Sequence, residues 1–232
     1  LRFSIRKSVQ DCRASTTDGR EPAMRRANLL TVAAVLALCL VGVRCSPQTV
    51  TQERAPVQIV HVDSDTVEIL ANLTDPAKLD TLTGKRAATP RLRKACYWLH
   101  TTSNATEAIK RAQIQNRSHG TPRAQETASA LLRNLTILER LGCLTEEGLA
   151  KLRRGNAPTI TKGPYAGELA TVDHIIPRSV CPELDNMLFN QEFMPDSINR
   201  RKSAKIGDRQ RQLAKKWNGM GLLSDAGVET VE

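Results

Sequence analysis

Aromatic residues make up only 3% of this 232-residue chain, so its core must be built mostly from Leu, Ile, Val and Ala. None of the six cysteines, Cys12, Cys39, Cys45, Cys96, Cys143 and Cys181, forms a C-x-x-C pair, which argues against a zinc ribbon or a redox dithiol. The sequence has no internal repeat and no low-complexity tract. Its most apolar run, Leu29 to Val43, is about 15 residues long, short of the roughly 20 that span a bilayer as a helix. Acidic residues are outnumbered, 24 against 34 Lys and Arg, for a formal charge of +10. That balance favours anionic partners such as nucleic acid or acidic lipid, but is also compatible with a merely soluble basic protein.

What is present divides the chain. Residues 1–23 precede the first methionine and read as an untranslated or non-native leader. Met24 opens a positive stretch, Arg25-Arg26, ahead of the apolar run, and polar sequence resumes at Ser46. This order predicts a signal peptide over 24–45 and an exported protein, periplasmic or extracellular. The alternative is an uncleaved anchor helix. No membrane association is expected after processing unless Cys45 carries a lipid. Residues 46–56 read as a linker, 57–155 as a mainly helical support region and 156–232 as a second module. Cys96, Cys143 and Cys181 have the numbers for one disulfide and one free thiol.

Within the helical region, Val57 to Leu70 has short β-branched runs around Asp63-Ser64-Asp65 and predicts a hairpin or two short strands. His61 there reads as a strand residue. Arg91 to His100, Thr106 to Gln115, Thr121 to Leu141 and Thr145 to Leu152 carry helical periodicity, with Gly142 and Gly155 as stops. Asn156 to Gly167 is rich in turn formers and predicts a loop.

Chemistry concentrates in Thr171 to Lys205. Leu169 to Ile176 reads as a strand ending at Pro177, and Asn186 to Met194 as a second. Asp196 or Ser197 caps a helix that runs from Ile198 towards Trp217, with Asn199, Lys202, Ile206, Leu213 and Trp217 on one stripe. Asn199 and Lys202 therefore turn inward, towards the strands. One difficulty stands out: strand alternation sends Asp173 and His174 to opposite faces. Both serve one site only if the backbone twists or ends there.

Asp173-His174-Ile175-Ile176-Pro177, Asn186, and Asn199-Arg200-Arg201-Lys202-Ser203 together resemble the HNH endonuclease family and its ββα-metal motif. The resemblance is to the variant with Asn in place of the final His, and covers roughly Thr171 to Lys205. It implies a ββα-metal motif there and says nothing of the region before it; joined to the helical periodicity of that region, the expected fold is α+β, a mostly helical amino-terminal region followed by a ββα-metal motif. The resemblance also implies a metal-dependent endonuclease acting on DNA, with RNA not excluded. By position, His174 would activate water, Asp173 and Asn199 would hold one divalent metal, Asn186 would brace the loop or orient His174, and Lys202 would help neutralise the phosphate. A carboxylate and an amide oxygen are hard ligands suited to Mg²⁺, with Mn²⁺ also admitted. Arg178, Arg200, Arg201, Lys205 and Arg209 are candidate nucleic-acid contacts. Between Ile198 and Trp217 eight basic residues face one acid, Asp208. Two bland readings remain beside this one: a ββα protein that binds nucleic acid without cutting, and a secreted structural protein in which these are ordinary strand and solvated-helix residues.

Overall fold

Asp63 opens a helix, where the sequence reading expects a hairpin. Its carboxylate accepts from the Thr66 amide at 2.9 Å, and α1 follows over Ser64–Thr74. An Asp-Ser-Asp cluster satisfies unpaired first-turn amides as readily as it turns a hairpin, and Val67, Leu70 and Ala71 then fall on one buried face. The computed structural model describes residues 62–232. The expectations for the leader, the signal segment, the linker, His61, Cys12, Cys39 and Cys45 lie outside the described residues.

Five more helices complete the first part: α2 (Pro76–Asp80), α3 (Thr89–Thr101), α4 (Ala105–Gln115), α5 (Pro122–Arg140) and α6 (Glu146–Arg153). Asn104, Thr121 and Thr145 cap α4, α5 and α6 through side-chain oxygens. Gly142 and Gly155 stand at positive φ just past α5 and α6, as stop residues should. Leu70, Leu79, Leu92, Leu99, Leu131, Leu138 and Leu152 form the centre of one aliphatic core. Cys96, Cys143 and Cys181 are all buried free thiols, so no disulfide joins any two of them. Burial pushes the Cys96 thiol up to about 12 and those of Cys143 and Cys181 to about 11.

The second part holds a two-stranded antiparallel sheet, β1 (Ala170–His174) and β2 (Gln191–Pro195), in the register Asp173 to Glu192 and His174 to Gln191. The fold is α+β, mostly helical. Val172 and Phe193 extend the aliphatic core. The outer edge of β2 is covered by α5, where buried Asn134 donates to Gln191 O at 2.9 Å and accepts from Phe193 N–H at 2.8 Å. That pairing satisfies an edge that would otherwise be open. Among the described residues, no helix is long and apolar enough to cross a membrane.

Two expected elements change. The second strand begins at Gln191; Asn186 lies in the preceding loop, and Leu188–Asn190 make a single 3-10 turn. The long carboxy-terminal helix is two: α7 (Asp196–Lys202) and α8 (Asp208–Gly219), separated at Ser203, whose φ is 49°. Gly207-Asp208 begins a new helix, and Gln210 accepts from the Gly207 amide at 3.1 Å. Ile206, Leu213 and Trp217 consequently leave the stripe of Asn199 and Lys202. They join a second core with Ile176, Leu184 and Phe189, in which the Trp217 and Phe189 rings meet edge-on at 4.8 Å. The short α9 (Asp225–Glu229) closes the chain. The expected caps at Asp196 and Ser197 are replaced: Glu168 accepts from the Ser197 amide at 2.9 Å.

Candidate active site

β1 ends at His174, and the chain bends through Pro177. This end resolves the alternation problem. Thr171 and Asp173 share the strand face towards α7. Asn199 Nδ2 donates to Thr171 Oγ1 at 3.0 Å, and Lys202 Nζ lies 2.6 Å from Asp173 Oδ2. His174 faces the 176–190 loop instead, with Nε2 2.9 Å from Asp185 O and 3.0 Å from Asp185 Oδ1. A cleft of about 370 Å³ lies across the strand end, so both residues line it from opposite faces. Asn199, Arg178, Arg200 and Asp196 share its wall.

His174 is buried and its tautomer is decided by its neighbours. Both Asp185 atoms facing Nε2 are acceptors, so Nε2 carries the proton and Nδ1 is left as the accepting nitrogen. Asp185 is itself held: Gln191 Nε2 donates to its carbonyl at 3.3 Å, and Arg178 Nε stands 3.8 Å from its carboxylate.

The loop that presents Asp185 is closed by Asn190. This side chain is fully buried; its oxygen accepts from Ile176 N–H at 2.8 Å, and its amide donates to Ile176 O at 3.0 Å and Leu184 O at 3.3 Å. Asn186, the residue expected to brace the loop or orient His174, does neither through its side chain. Its amide donates to Leu82 O at 3.0 Å, tying the loop to the segment after α2, and its oxygen is buried without a partner. Asp185 and Asn190 are the residues the sequence reading missed. Asn190 sits nine positions before Asn199 in an apolar stretch, and a lone Asn between Phe189 and Gln191 looks like ordinary strand-edge sequence. Arg86 was missed as well. It lies on the loop before α3, at φ 59°, and lines the cleft from far along the chain.

Lys202 sits under the cleft. Besides Asp173 it donates to His174 O at 2.8 Å, so one ammonium clamps two consecutive residues of the strand end. Arg200 pairs with Asp196 at 3.0 Å. Arg209 forks onto the buried Glu192 at 2.7 and 2.8 Å, a contact that pushes its guanidinium further from deprotonation. Arg133 of α5 reaches the same carboxylate at 3.1 Å. Arg211, Lys215 and Lys216 also find acids, at Asp208, Glu232 and Glu126. Six of the eight basic residues of the run thus have an acidic partner, four of them one that is distant in sequence. Arg201 and Lys205 are exposed and, among the described residues, have no ion-pair partner.

For a divalent metal the donor set is small. Among the described residues no cluster of three or more His, Cys, Asp and Glu is arranged to hold one. Asp173 turns Oδ2 to the Lys202 ammonium, and Asn199 commits its amide nitrogen to Thr171 and keeps its oxygen. A carboxylate oxygen and an amide oxygen on one polar cleft fit Mg²⁺ or Mn²⁺, which retain several waters and need few protein ligands. They fit Zn²⁺ poorly, since structural and catalytic zinc sites use three or four N, S or O ligands. The Lys202 ammonium competes for the same carboxylate.

No protein-family model, curated protein or solved structure matches the chain. The site therefore stands on its geometry and on the motif read from the sequence.

Proposed function

We propose that the protein is a metal-dependent nuclease of the HNH type that hydrolyses phosphodiester bonds, most naturally in DNA. The observation that carries this reading is the strand end. One cleft is lined by an imidazole with a defined free nitrogen, a half-committed carboxylate and an amide oxygen, and arginines rim it.

In the proposed reaction a water enters the cleft beside His174. Nδ1 accepts its proton as the water oxygen bonds to phosphorus, and the bond from phosphorus to one ester oxygen breaks. The departing oxygen takes a proton from solvent, and imidazolium returns its proton to water. Asp185 keeps the ring in the accepting tautomer and stabilises the positive charge that builds on it. Asp173 and Asn199 would hold the metal, which supplies charge stabilisation to the phosphoryl and leaving oxygens. Lys202 positions Asp173, and Arg178 and Arg200 offer donors to phosphate oxygens. Export through the 24–45 stretch belongs to the same proposal and rests on sequence.

A second reading has one observation in its favour. Lys202 already neutralises Asp173, so the fold needs no metal at that carboxylate. On that reading the module grips nucleic acid without cutting it. Supercoiled plasmid separates the two. A nuclease converts it to nicked circles in Mg²⁺ or Mn²⁺ and stops on chelation. A binding module retards it in chelator and leaves it intact in every metal.

A further inference from the structure

A second cleft, about 470 Å³, lies on the helical part between α1 and α3, with Arg153 of α6 at its rim. Its floor is Ile69, Leu73 and one face of the half-exposed Trp98. Its cations are Arg91, Lys94 and Arg153, and none of its lining residues is acidic. Arg91 spends one guanidinium donor on Asn72 O at 2.8 Å. Arg153 lies over the Tyr97 ring at 5.8 Å, and Tyr97 meets Trp98 edge-on at 5.2 Å. None of the three cations has an ion-pair partner among the described residues, in contrast to most of the basic run on α7 and α8.

An aromatic face held in place and three cations around it that pair with no acid fit a flat ring bearing nearby phosphates. We propose that this groove binds an unpaired nucleic-acid strand, with a base stacked on Trp98 and the backbone on Arg91, Lys94 and Arg153. The proposal extends the nuclease reading to the form of its substrate and rests on that reading for its purpose. Continuity supports it. Arg86 lines the candidate active-site cleft and Arg91 lines this groove. Arg91 follows Arg86 by five positions, so their Cα atoms are at most about 18 Å apart even if fully extended. A strand lying over both arginines would bridge them within several nucleotides. Stacking explains why the site tolerates any base, since every base has a π face.

Intrinsic fluorescence tests it, because the other tryptophan, Trp217, is buried in the second core. The full chain carrying His174→Ala is titrated in chelator with oligothymidylate, oligouridylate, a duplex of matched length and vesicles of anionic lipid. Binding of an oligonucleotide with quenching of Trp98 is expected. Measured by anisotropy of end-labelled oligonucleotides, since the variant lacks the reporting indole, Trp98→Ala should weaken single-strand binding about ten- to hundredfold and leave duplex binding nearly unchanged. Trp98→Phe, which keeps a ring, should retain most of the affinity and the fold. Unaltered single-strand affinity in Trp98→Ala, or quenching by vesicles and not by oligonucleotides, overturns the proposal. Cleavage plays no part in this readout, so a groove that binds in a protein that never cuts upholds this inference and sinks the nuclease.

Discussion

Asn190 and Asn186 should behave in opposite ways when truncated. Asn190→Ala removes three hydrogen bonds inside a fully buried site. Leu184 O keeps a second donor, Met187 N, at 3.3 Å. Ile176 N–H and Ile176 O have no replacement among the described residues. Two orphaned backbone groups at roughly 1–3 kcal/mol each give a loss of about 2–6 kcal/mol, before any cavity term. For a domain of this size each kcal/mol lowers Tm by about 2–4 °C, so a fall on the order of 10 °C is expected. Asn186→Ala removes one bond, to Leu82 O, and also removes an amide oxygen that is buried without a partner. Those two effects oppose, and its cost should stay below about 1 kcal/mol. Paired thermal melts, backed by urea titration, measure both. Equal losses in the two variants, or a larger loss in Asn186→Ala, would refute the assignment of Asn190 as the brace. Below its melting point Asn190→Ala should also cut poorly, because the loop that aims Asp185 at His174 is no longer closed.

The other predictions follow the same contacts. Lys202→Met leaves the largely buried Asp173 Oδ2 without its cation; it should cost about 3–5 kcal/mol in chelator, part of which returns on adding Mg²⁺ in a melt. Arg201→Ala and Lys205→Ala should each weaken DNA binding and lower the salt slope by about one unit without moving Tm, whereas Arg209→Ala should lower Tm because it strips the Glu192 fork. Binding across a salt series and melts of all three decide the matter. Burial pushes the Glu126 carboxyl up, but hydrogen bonds from Lys216 and the Trp217 indole outweigh it and hold the group below its ordinary value of 4.5. A depressed folded value means stability that is present above about pH 4.5 and lost as pH falls through the folded value. Glu126→Gln should flatten that part of the acid limb in melts from pH 6 downwards, relative to the parent chain.

Local signals were the legible ones. The caps at Thr121 and Thr145 and the stops at Gly142 and Gly155 are each decided within a few residues, so a single sequence carries them; the first strand was legible too, but it ends at His174, short of the expected Ile176. The inward turn of Asn199 and Lys202 holds, but the stripe that pointed to it does not, since Ile206, Leu213 and Trp217 lie beyond the end of that short helix. What was not legible depended on the rest of the chain. The Asp63 cluster suits a turn or a cap, and only the packing of Leu70 against α3 and α4 favours the helix. Gly207-Asp208 is a readable helix start that a long basic periodicity obscured. Asn186 and Asn190 are indistinguishable by composition; the difference is that one reaches Leu82 and the other closes its own loop. The ion pairs of the basic run were not legible because its counter-charges, Asp173, Glu192, Glu126 and Glu232, come from distant parts of the sequence.

Single-turnover cleavage of a DNA duplex by the parent chain and by His174→Ala, in saturating Mg²⁺, tests the central proposal most directly. Loss of a general base should slow the variant by about 10²–10⁴-fold, with substrate affinity little changed and partial recovery on adding free imidazole. Equal rates in the two proteins, or no cleavage by the parent chain in Mg²⁺ or Mn²⁺, would contradict it.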